Sequence, residues 1–199
     1  MPQTAHSPQH SASAPALALT IAGSEATGGA GAQADLKTFQ ELGVFGIVAL
    51  TCIVSFDPED DWNHRFFPVP TEILQQQLDA IQGDYPERLR TVKLGMQGSP
   101  EVIRTSAAAL RRAEWDHVVL DPVLICKGQE PGHALDTDQA LKAELLPLAT
   151  FTTPNHFETE QLSGMTVRSV EDLTAAARRI HEISGAAVLA KGGMHLPGP

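Results

Sequence analysis

Hydrophobic positions along the chain form short apolar runs that alternate with segments of helical periodicity. Apolar runs rich in β-branched residues are typical of buried strands. Runs of this kind are LALTIAG (17–23), FGIVALTCIVSF (45–56), TVKLGM (91–96), HVVLDPVL (117–124), TFTTPN (150–155) and AAVLAKGG (186–193). The segments with helical spacing are 33–42, 71–81, 99–113, 136–147 and 169–183. This alternation predicts βαβ units and an α/β fold with a mainly parallel sheet and helices on both faces.

Two segments of the chain show neither a continuous apolar run nor helical spacing. The first fifteen residues are rich in Ser, Pro, His and Gln, so we expect a disordered tail at 1–15 and one domain over 16–199. The segment DPEDDWNHRFFPVP (57–70) follows the second predicted strand. We expect it to be an irregular excursion that covers a site, with His64 as its histidine.

Composition narrows the class of partner. The net charge is −10, and an acidic chain is a poor partner for a nucleic-acid backbone. The two cysteines, Cys52 and Cys126, suggest neither a disulfide framework nor a metal site. The sequence contains no stretch of eighteen uninterrupted apolar residues, so we predict no transmembrane helix. A reduced, cytoplasmic protein without nucleic-acid or membrane partners is the expectation.

Glycine or polar residues follow each predicted strand. In parallel sheets the chemistry gathers outside the carboxyl ends of the strands. The residues at these ends are the glycine loop 23–31, Phe56 and Asp57, Gly95 and Met96, Asp121 and Pro122, Pro154 and Asn155, and Lys191 to Gly193. Glycine and polar residues at six strand ends predict one shared site.

The loop GSEATGGAG (23–31) contains Gly23, Gly28, Gly29 and Gly31. It lacks the Gly-Lys-Ser/Thr ending of a Walker A loop and matches the dinucleotide-binding GxGxxG pattern poorly. A tight structural turn and a ligand-binding loop therefore both remain open. Asp35, just inside the next helix, either complements the helix dipole or anchors a ligand over the loop.

The later strand ends offer polar groups with two readings each. Asp121 precedes a proline, as turn residues often do, and Asn155 and Glu158 have the spacing of a helix capping box. The alternative is an amide and carboxylates near a metal-bound phosphate, because Mg²⁺ prefers oxygen ligands and retains waters. Lys191 is either a solvated lysine or a charge that neutralises phosphate.

The ordered set of motifs resembles a known family. The segments TIAGSEATGGAGAQADLKTFQELG, VKLGM, LDPVL, LLPLATFTTPNHFE and VLAKGG are similar to the vitamin-kinase branch of the ribokinase-like fold. That branch contains hydroxymethylpyrimidine (phosphate) kinases and Gram-positive-type pyridoxal kinases, and the resemblance spans Leu17 to Gly193. It implies a three-layer α/β/α fold, phosphorylation of a hydroxymethyl group on a nitrogen heterocycle by ATP, Mg²⁺ and optionally a monovalent cation as cofactors, and a homodimer.

The resemblance also implies roles for individual residues. Gly23, Ala30 and Asp35 would hold the substrate ring. The residues that it implies around the ATP phosphates are Asp121, Lys127, Asn155, Glu158 and Lys191, with Asp121 and Glu158 near Mg²⁺ through water. The turn formed by Cys126, Lys127 and Gly128 would lie on a mobile flap.

Two positions favour pyridoxal over the pyrimidine as substrate. The pyrimidine kinases carry Gln or Glu at the end of the second strand, whereas Phe56 stands here and cannot accept a hydrogen bond from an amino group. Cys126 can add reversibly to an aldehyde, which pyridoxal has and hydroxymethylpyrimidine lacks. Pyridoxal, pyridoxine or pyridoxamine phosphorylation is the expected activity, with hydroxymethylpyrimidine phosphorylation as the alternative.

One family motif does not occur in this sequence. The family carries a G-x-G-C/D loop that supplies the anion hole and the base for the attacking hydroxyl, and no such loop precedes Pro199. We therefore expect the base to lie beyond Pro199 and the fold to lack the family's C-terminal part. A non-catalytic protein that binds the vitamer is the third reading. Exposed apolar faces with reduced stability or association are a further expectation.

Overall fold

The computed structural model describes residues 14–124, 131–193 and 196. One seven-stranded sheet forms the centre of this part of the chain, in the order β3-β2-β1-β4-β5-β6-β7. Its strands are β1 (Leu17–Glu25), β2 (Phe45–Asp57), β3 (Asn63–Pro68), β4 (Thr91–Leu94), β5 (His117–Leu120), β6 (Phe151–Thr152) and β7 (Ala187–Val188). The β2–β3 pair is antiparallel and every other pair is parallel. The predicted mainly parallel sheet is confirmed.

Helices connect the parallel strands. They are α1 (Gly31–Glu41), α2 (Thr71–Asp84), α3 (Pro100–Leu110), α4 (Pro131–Ala140), α5 (His156–Ser163) and α6 (Val170–Ser184). A π-helical turn (Leu141–Leu145) and a 3₁₀ turn (Leu146–Leu148) follow α4. The crossover through α1 runs along the sheet in one direction, and the later crossovers run in the other. Right-handed crossovers therefore put α1 on the face opposite to the later helices, which gives the three layers.

Local sequence signals account for several helix boundaries. Ser99 accepts a hydrogen bond from the backbone N–H of Val102 at the start of α3, and Ser169 does the same for Asp172 at the start of α6. Gly185 ends α6 in the left-handed conformation that favours glycine. Side chains of β1, α2 and α3 bury themselves between the layers, and the largest of these are Leu19, Ile21, Leu74, Leu78 and Ile103.

The excursion at 57–70 was predicted to be irregular, and this prediction was wrong in part. Residues 63–68 form β3 and pair with β2, so that Phe56 lies opposite His64. An ion pair between Arg65 and Asp57 joins the two strands. Asp61 and Trp62 adopt positive φ angles of 47° and 59° in the connecting turn. The strand was missed because its apolar residues do not alternate with polar ones.

Other boundaries also differ from the predictions. The last two strands are two residues long rather than six and eight, although hydrogen bonds from the Leu189 N–H to the Thr152 carbonyl and from the Lys191 N–H to the Pro154 carbonyl continue beyond them. The helix α5 was not among the periodic segments, but the capping-box spacing of Asn155 and Glu158 indicated that a helix starts there. The predicted helix 136–147 corresponds to the second half of α4 and the two irregular turns after it.

The order of the strands creates one reversal of direction. β1 lies between β2 and β4, and the chain leaves β1 toward β2 but later continues toward β4 and β5. Ligands of open α/β sheets bind at the carboxyl ends of the strands beside such a reversal. No helix within the described ranges is both long enough and apolar enough to cross a membrane.

Candidate functional site

A cavity of about 470 Å³ lies at the reversal beside β1. The carboxyl ends of β1, β2, β4 and β5 form its walls together with the glycine loop and His64 of β3. The residues that line it are Gly23, Ser24, Glu25, Thr27, Gly29, Ala30, Gly31, Val54, Phe56, His64, Lys93, Gly95, Met96, Asp121 and Val123. This volume is in the range of small-molecule sites. A second cleft of about 410 Å³ is lined mainly by exposed polar residues of α3, α4 and the π-helical turn, and it shares no lining residue with the first cavity.

The glycine loop is organised around the carboxylate of Glu25. This carboxylate accepts hydrogen bonds from the backbone N–H groups of Thr27, Gly29 and Ala30, at 2.7, 3.0 and 3.3 Å, and from the Thr27 hydroxyl at 2.8 Å. The Thr27 N–H contributes most to lowering the pKa of Glu25 below its ordinary value. These loop N–H groups therefore donate to a carboxylate of the same loop. Sequence reasoning missed Glu25, which lies within the loop itself.

Gly23 is required by packing beneath the cavity. A Cβ at this position would lie 2.5 Å from Cys52 Sγ, which is closer than real Cβ contacts. Cys52 is fully buried, has its Sγ 3.6 Å from Met96 Sδ, and has its pKa raised by burial. Gly31 adopts a φ of +61°, which favours glycine. The close packing at Gly23 and the positive φ of Gly31 therefore support the interpretation of the loop as a tight structural turn. Gly23 and Ala30 also line the cavity, as a ligand-binding loop would.

Asp35 lies beside the cavity rather than in its lining. Its Oδ2 accepts a hydrogen bond of 2.6 Å from the Thr20 hydroxyl and one of 2.9 Å from Lys93 Nζ. Lys93 lines the cavity, and Asp35 does not belong to that lining. Sequence reasoning singled out Asp35 and missed Lys93. A lysine inside an otherwise apolar strand was the available signal.

Phe56 and His64 form an aromatic wall. Their ring centroids are 4.9 Å apart, and the ring planes meet at 75°. Val54 and Met96 extend this apolar surface. Phe56, which was singled out because it cannot accept a hydrogen bond, thus lies on the cavity surface. The expectation that the excursion covers a site agrees with the position of His64.

A polar group lies at the ends of β5, β6 and β7. Asp121 Oδ1 accepts hydrogen bonds from the Thr153 hydroxyl at 3.1 Å and from Lys191 Nζ at 3.4 Å. The backbone N–H of Lys191 donates to the carbonyl of Pro154 at 2.8 Å. Asp121 also lines the cavity, so this polar group is continuous with it.

Asn155 and Glu158 form the capping box that their spacing predicted. Asn155 Oδ1 accepts the N–H of Glu158 at 2.9 Å, and Glu158 Oε2 accepts the N–H of Asn155 at 2.8 Å. Glu158 is buried, and burial raises its pKa, with a further contribution from the charge of Asp121. The predicted capping box is therefore present. Its hydrogen bonds hold the partly desolvated carboxylate of Glu158 near Asp121 and Lys191.

The predicted metal and flap residues have different outcomes. Among the described residues, no group of three or more His, Cys, Asp and Glu side chains is arranged to hold a metal ion. Asp121 and Glu158 remain a pair of neighbouring carboxylates. The flap residues Cys126, Lys127 and Gly128 lie outside the described residues.

The three layers, the strand order and the cavity at the reversal define a ribokinase-like α/β/α protein. The chain belongs to the phosphomethylpyrimidine kinase family, whose model matches residues 25–199. It is 45% identical over 181 residues to the pyridoxine kinase of Bacillus subtilis strain 168, which covers 88% of this chain and 65% of that protein. It is 39% identical to the hydroxymethylpyrimidine/phosphomethylpyrimidine kinase of Haemophilus influenzae, over 89% of this chain and 65% of that protein.

Solved structures share the fold. The crystal structure of an ADP complex of Bacillus subtilis pyridoxal kinase has a TM-score of 0.85 and 43% identity, and it covers 93% of this chain and 69% of that chain. The chain spans about 65% of the length of the first curated relative that it matches. The predicted family and the predicted fold class are both confirmed.

Proposed function

We propose that the protein transfers the γ-phosphoryl group of ATP to the 5-hydroxymethyl group of pyridoxal, pyridoxine or pyridoxamine. The observation that carries this proposal is the position of Phe56 at the end of β2, on the wall of the cavity at the sheet reversal. The 45% identity to a pyridoxine kinase supports the same class of substrate. The setting we propose is the cytoplasm.

Phe56 distinguishes the two substrate rings by hydrogen bonding. The pyrimidine substrate carries an exocyclic amino group beside its hydroxymethyl group, and burying an unpaired donor against a phenyl ring costs about 1–3 kcal/mol. The vitamin B6 ring carries an aldehyde, hydroxymethyl or aminomethyl group there. The aldehyde of pyridoxal has no hydrogen-bond donor and can be accommodated without an acceptor on Phe56. The Phe56 wall therefore suits pyridoxal better than hydroxymethylpyrimidine.

The polar group at the ends of β5 to β7 suits the nucleotide end of the reaction. Lys191 carries a positive charge that can neutralise a phosphate oxygen, and Asp121 lies 3.4 Å from it. Asn155 begins α5, a helix of eight residues, and its side chain holds the first turn. We propose that Asp121, Asn155, Glu158 and Lys191 hold the ATP phosphates. None of these four residues is proposed as the general base.

Mg²⁺ fits beside Asp121 and Glu158. The raised pKa of Glu158 reflects burial and a neighbouring negative charge, and a cation at that point would offset both. Two carboxylates with water and phosphate oxygens are a usual set of ligands for this ion. When bound with ATP, Mg²⁺ neutralises charge on the phosphate oxygens.

We further propose a homodimer that forms through the outer part of β2 and β3. Ile53 and Phe67 are register partners on these strands and are 50% and 56% exposed. An exposed aromatic and aliphatic pair on a sheet edge is typical of an interaction surface. A second copy of the chain is the proposed partner because homo-oligomers are commonly symmetric dimers.

An assay with competing acceptors tests the proposed activity. The protein is incubated with ATP and Mg²⁺ and with pyridoxal, pyridoxine or hydroxymethylpyrimidine, and the products are identified by mass spectrometry. The expected product is the 5′-phosphate of the B6 vitamer. Phosphorylation of the pyrimidine alone would overturn the substrate assignment. Vitamer binding without product formation would support the reading as a non-catalytic binding protein.

A further inference from the structure

Lys93 occupies a defined position on the cavity wall. It is the register partner of Thr20 on the neighbouring strand β1, so both side chains extend to the same face of the sheet. Asp35 of α1 meets both of them through one oxygen, at 2.6 Å from Thr20 Oγ1 and 2.9 Å from Lys93 Nζ. The side chains of Lys93 and Asp35 are only 23% and 18% exposed. Three elements therefore hold the ammonium group in place.

The ammonium group lies close to the backbone of the cavity wall. A Cβ on Gly95 would lie 3.0 Å from Lys93 Nζ, so the absence of a side chain at Gly95 makes room for the amine. An ammonium group has three N–H donors. Within the described part of the chain, Asp35 is the hydrogen-bonded partner of Lys93, which leaves donors for a ligand.

The other charged groups of the cavity are engaged elsewhere. The Glu25 carboxylate accepts hydrogen bonds from its own loop, and Asp121 accepts from Thr153 and Lys191. Among the described lining residues, Lys93 is the only lysine or arginine. A ligand atom that is both negative and a hydrogen-bond acceptor would therefore be recognised best at Lys93.

The two candidate substrate rings differ in such an atom. Ring carbon 3 of vitamin B6 carries an acidic hydroxyl group, which ionises to a phenolate while the ring nitrogen is protonated. The pyrimidine has a neutral ring nitrogen at the corresponding position. Hydrogen bonds between an ammonium group and an anionic oxygen are about twice as strong as those between neutral groups.

We propose that Lys93 is a vitamer-binding residue whose ammonium group binds the phenolate oxygen of a 3-hydroxypyridine vitamer, with Asp35 as the positioning residue that orients it. This inference rests on the proposed function, because it names the atom of the vitamer that Lys93 binds in this cavity. Asp35 thus acts on the ligand through Lys93, which differs from the direct contact that the family resemblance implies.

Binding of two ligands to the whole chain tests the inference. The ligands are pyridoxine and 3-deoxypyridoxine, which differ only in the 3-hydroxyl group. Neither has an aldehyde, so thiol or amine addition does not contribute. Calorimetric titration gives the dissociation constants for the unaltered protein, Lys93→Met and Lys93→Gln. Lys93→Gln retains an N–H for Asp35 and removes the charge, which separates charge recognition from loss of the Asp35 contact.

The matched control is Lys142→Met. Lys142 is also a lysine paired with an aspartate, since its Nζ lies 2.7 Å from Asp138 Oδ2, but it lies outside the cavity. We expect both Lys93 variants to lose affinity for pyridoxine by about tenfold or more, on the scale of a charged hydrogen bond. We expect affinity for 3-deoxypyridoxine to change by less than about threefold, and Lys142→Met to change neither.

The outcomes separate this inference from the proposed function. If the unaltered protein binds both ligands equally, or if the Lys93 variants weaken both equally, Lys93 does not read the phenolate and only the inference is overturned. If the unaltered protein binds neither ligand, the proposed vitamer function is overturned together with the inference. If the Lys93 variants do not fold, equal affinity of the unaltered protein for the two ligands still overturns the inference, and unequal affinity supports it.

Discussion

The carboxylate of Glu25 lies 3.0 Å from the backbone nitrogen of Gly29 and binds the glycine loop from within. A loop rich in glycine has high conformational entropy, and a single carboxylate with several N–H partners restricts it. The same loop forms one side of the cavity, so the order of the loop and the shape of the cavity depend on this carboxylate.

We predict that Glu25→Gln loosens the loop and weakens vitamer binding severalfold. The amide has one acceptor oxygen in place of the two that accept from Thr27, Gly29 and Ala30. Amide hydrogen exchange at residues 27–30 measures the loosening. Glu87→Gln, at an exposed position, is the matched control.

The pH dependence of the loop follows from the lowered pKa of Glu25. A carboxyl group with a lowered pKa in the folded state contributes stability above its unfolded pKa, and that stability is lost as the pH falls through the folded value. Protection of the loop amides from exchange, corrected for the intrinsic rate, is expected at neutral pH and to decline below the ordinary glutamate range. Protection that stays constant well below the ordinary glutamate range would contradict this role.

Gly23→Ala is expected to destabilise the fold through Cys52. The new methyl group would lie 2.5 Å from Cys52 Sγ, and overpacking of this kind costs about 1–3 kcal/mol. Thermal unfolding should show a lower midpoint for Gly23→Ala and recovery in Gly23→Ala/Cys52→Ala. Gly83→Ala in α2 has open space around it and is expected to be neutral or stabilising. A failure of the double variant to recover would place the clash elsewhere.

Glu158→Gln should separate stability from function. The pKa of Glu158 is raised in the folded state, so the folded protein binds its proton more tightly than the unfolded chain does. Stability from this group therefore falls as the pH rises from the unfolded pKa to the folded pKa. A neutral glutamine retains an acceptor for the Asn155 N–H, so unfolding at neutral pH should be unaffected or shifted to higher temperature. Calorimetry should show weaker Mg-ATP binding, and undiminished binding would argue against the proposed phosphate site.

Phe56→Gln should shift the substrate preference toward hydroxymethylpyrimidine. Glutamine supplies an acceptor for the exocyclic amino group, which the phenyl ring lacks. The ratio of kcat/KM for the pyrimidine to kcat/KM for pyridoxal is expected to rise by about tenfold, the value of one hydrogen bond. Phe56→Leu, which has no acceptor, is the control and should leave the ratio near that of the unaltered protein. An unchanged ratio in Phe56→Gln would remove the basis for the substrate assignment.

Phe67→Glu should weaken the proposed dimer. A charge in the centre of an apolar contact between two copies must be desolvated without a partner. Light scattering after size-exclusion chromatography is expected to show the mass of a dimer for the unaltered protein and a smaller mass for the variant. Trp62→Glu, on the turn before β3, provides a comparison at another exposed aromatic residue. A dimer that tolerates Phe67→Glu would place the interface on another surface.

Most of the fold could be predicted from local patterns. The apolar runs predicted β1, β2, β4 and β5, and the capping signals at Ser99, Asn155 and Ser169 agree with the structure. The strand β3 could not be predicted in this way. It is stabilised by pairing with β2 and by the Arg65–Asp57 ion pair, contacts between strands that the periodicity of 63–68 does not report.

The candidate site could be predicted only in part. Gly23, Phe56 and Asp121 line the cavity as expected from their places at strand ends, and Ala30 lines it as the family resemblance implied. Lys93 and Glu25 were missed because their importance comes from what they contact. Glu25 gains its N–H partners only when the loop folds back onto it. Lys93 comes next to Thr20 only when β4 pairs with β1.

The amino-acid sequence alone thus determined the alternation of strands and helices, the positions of the strand ends and the membership of a family. Those properties depend on residues that are close together along the chain, where burial and backbone preference leave a periodic pattern. Tertiary structure decided that Asp35 contacts Lys93, 58 residues away in sequence, and that Cys52 lies beneath Gly23. Such contacts depend on the order of the strands in the sheet, which follows from packing of the whole core.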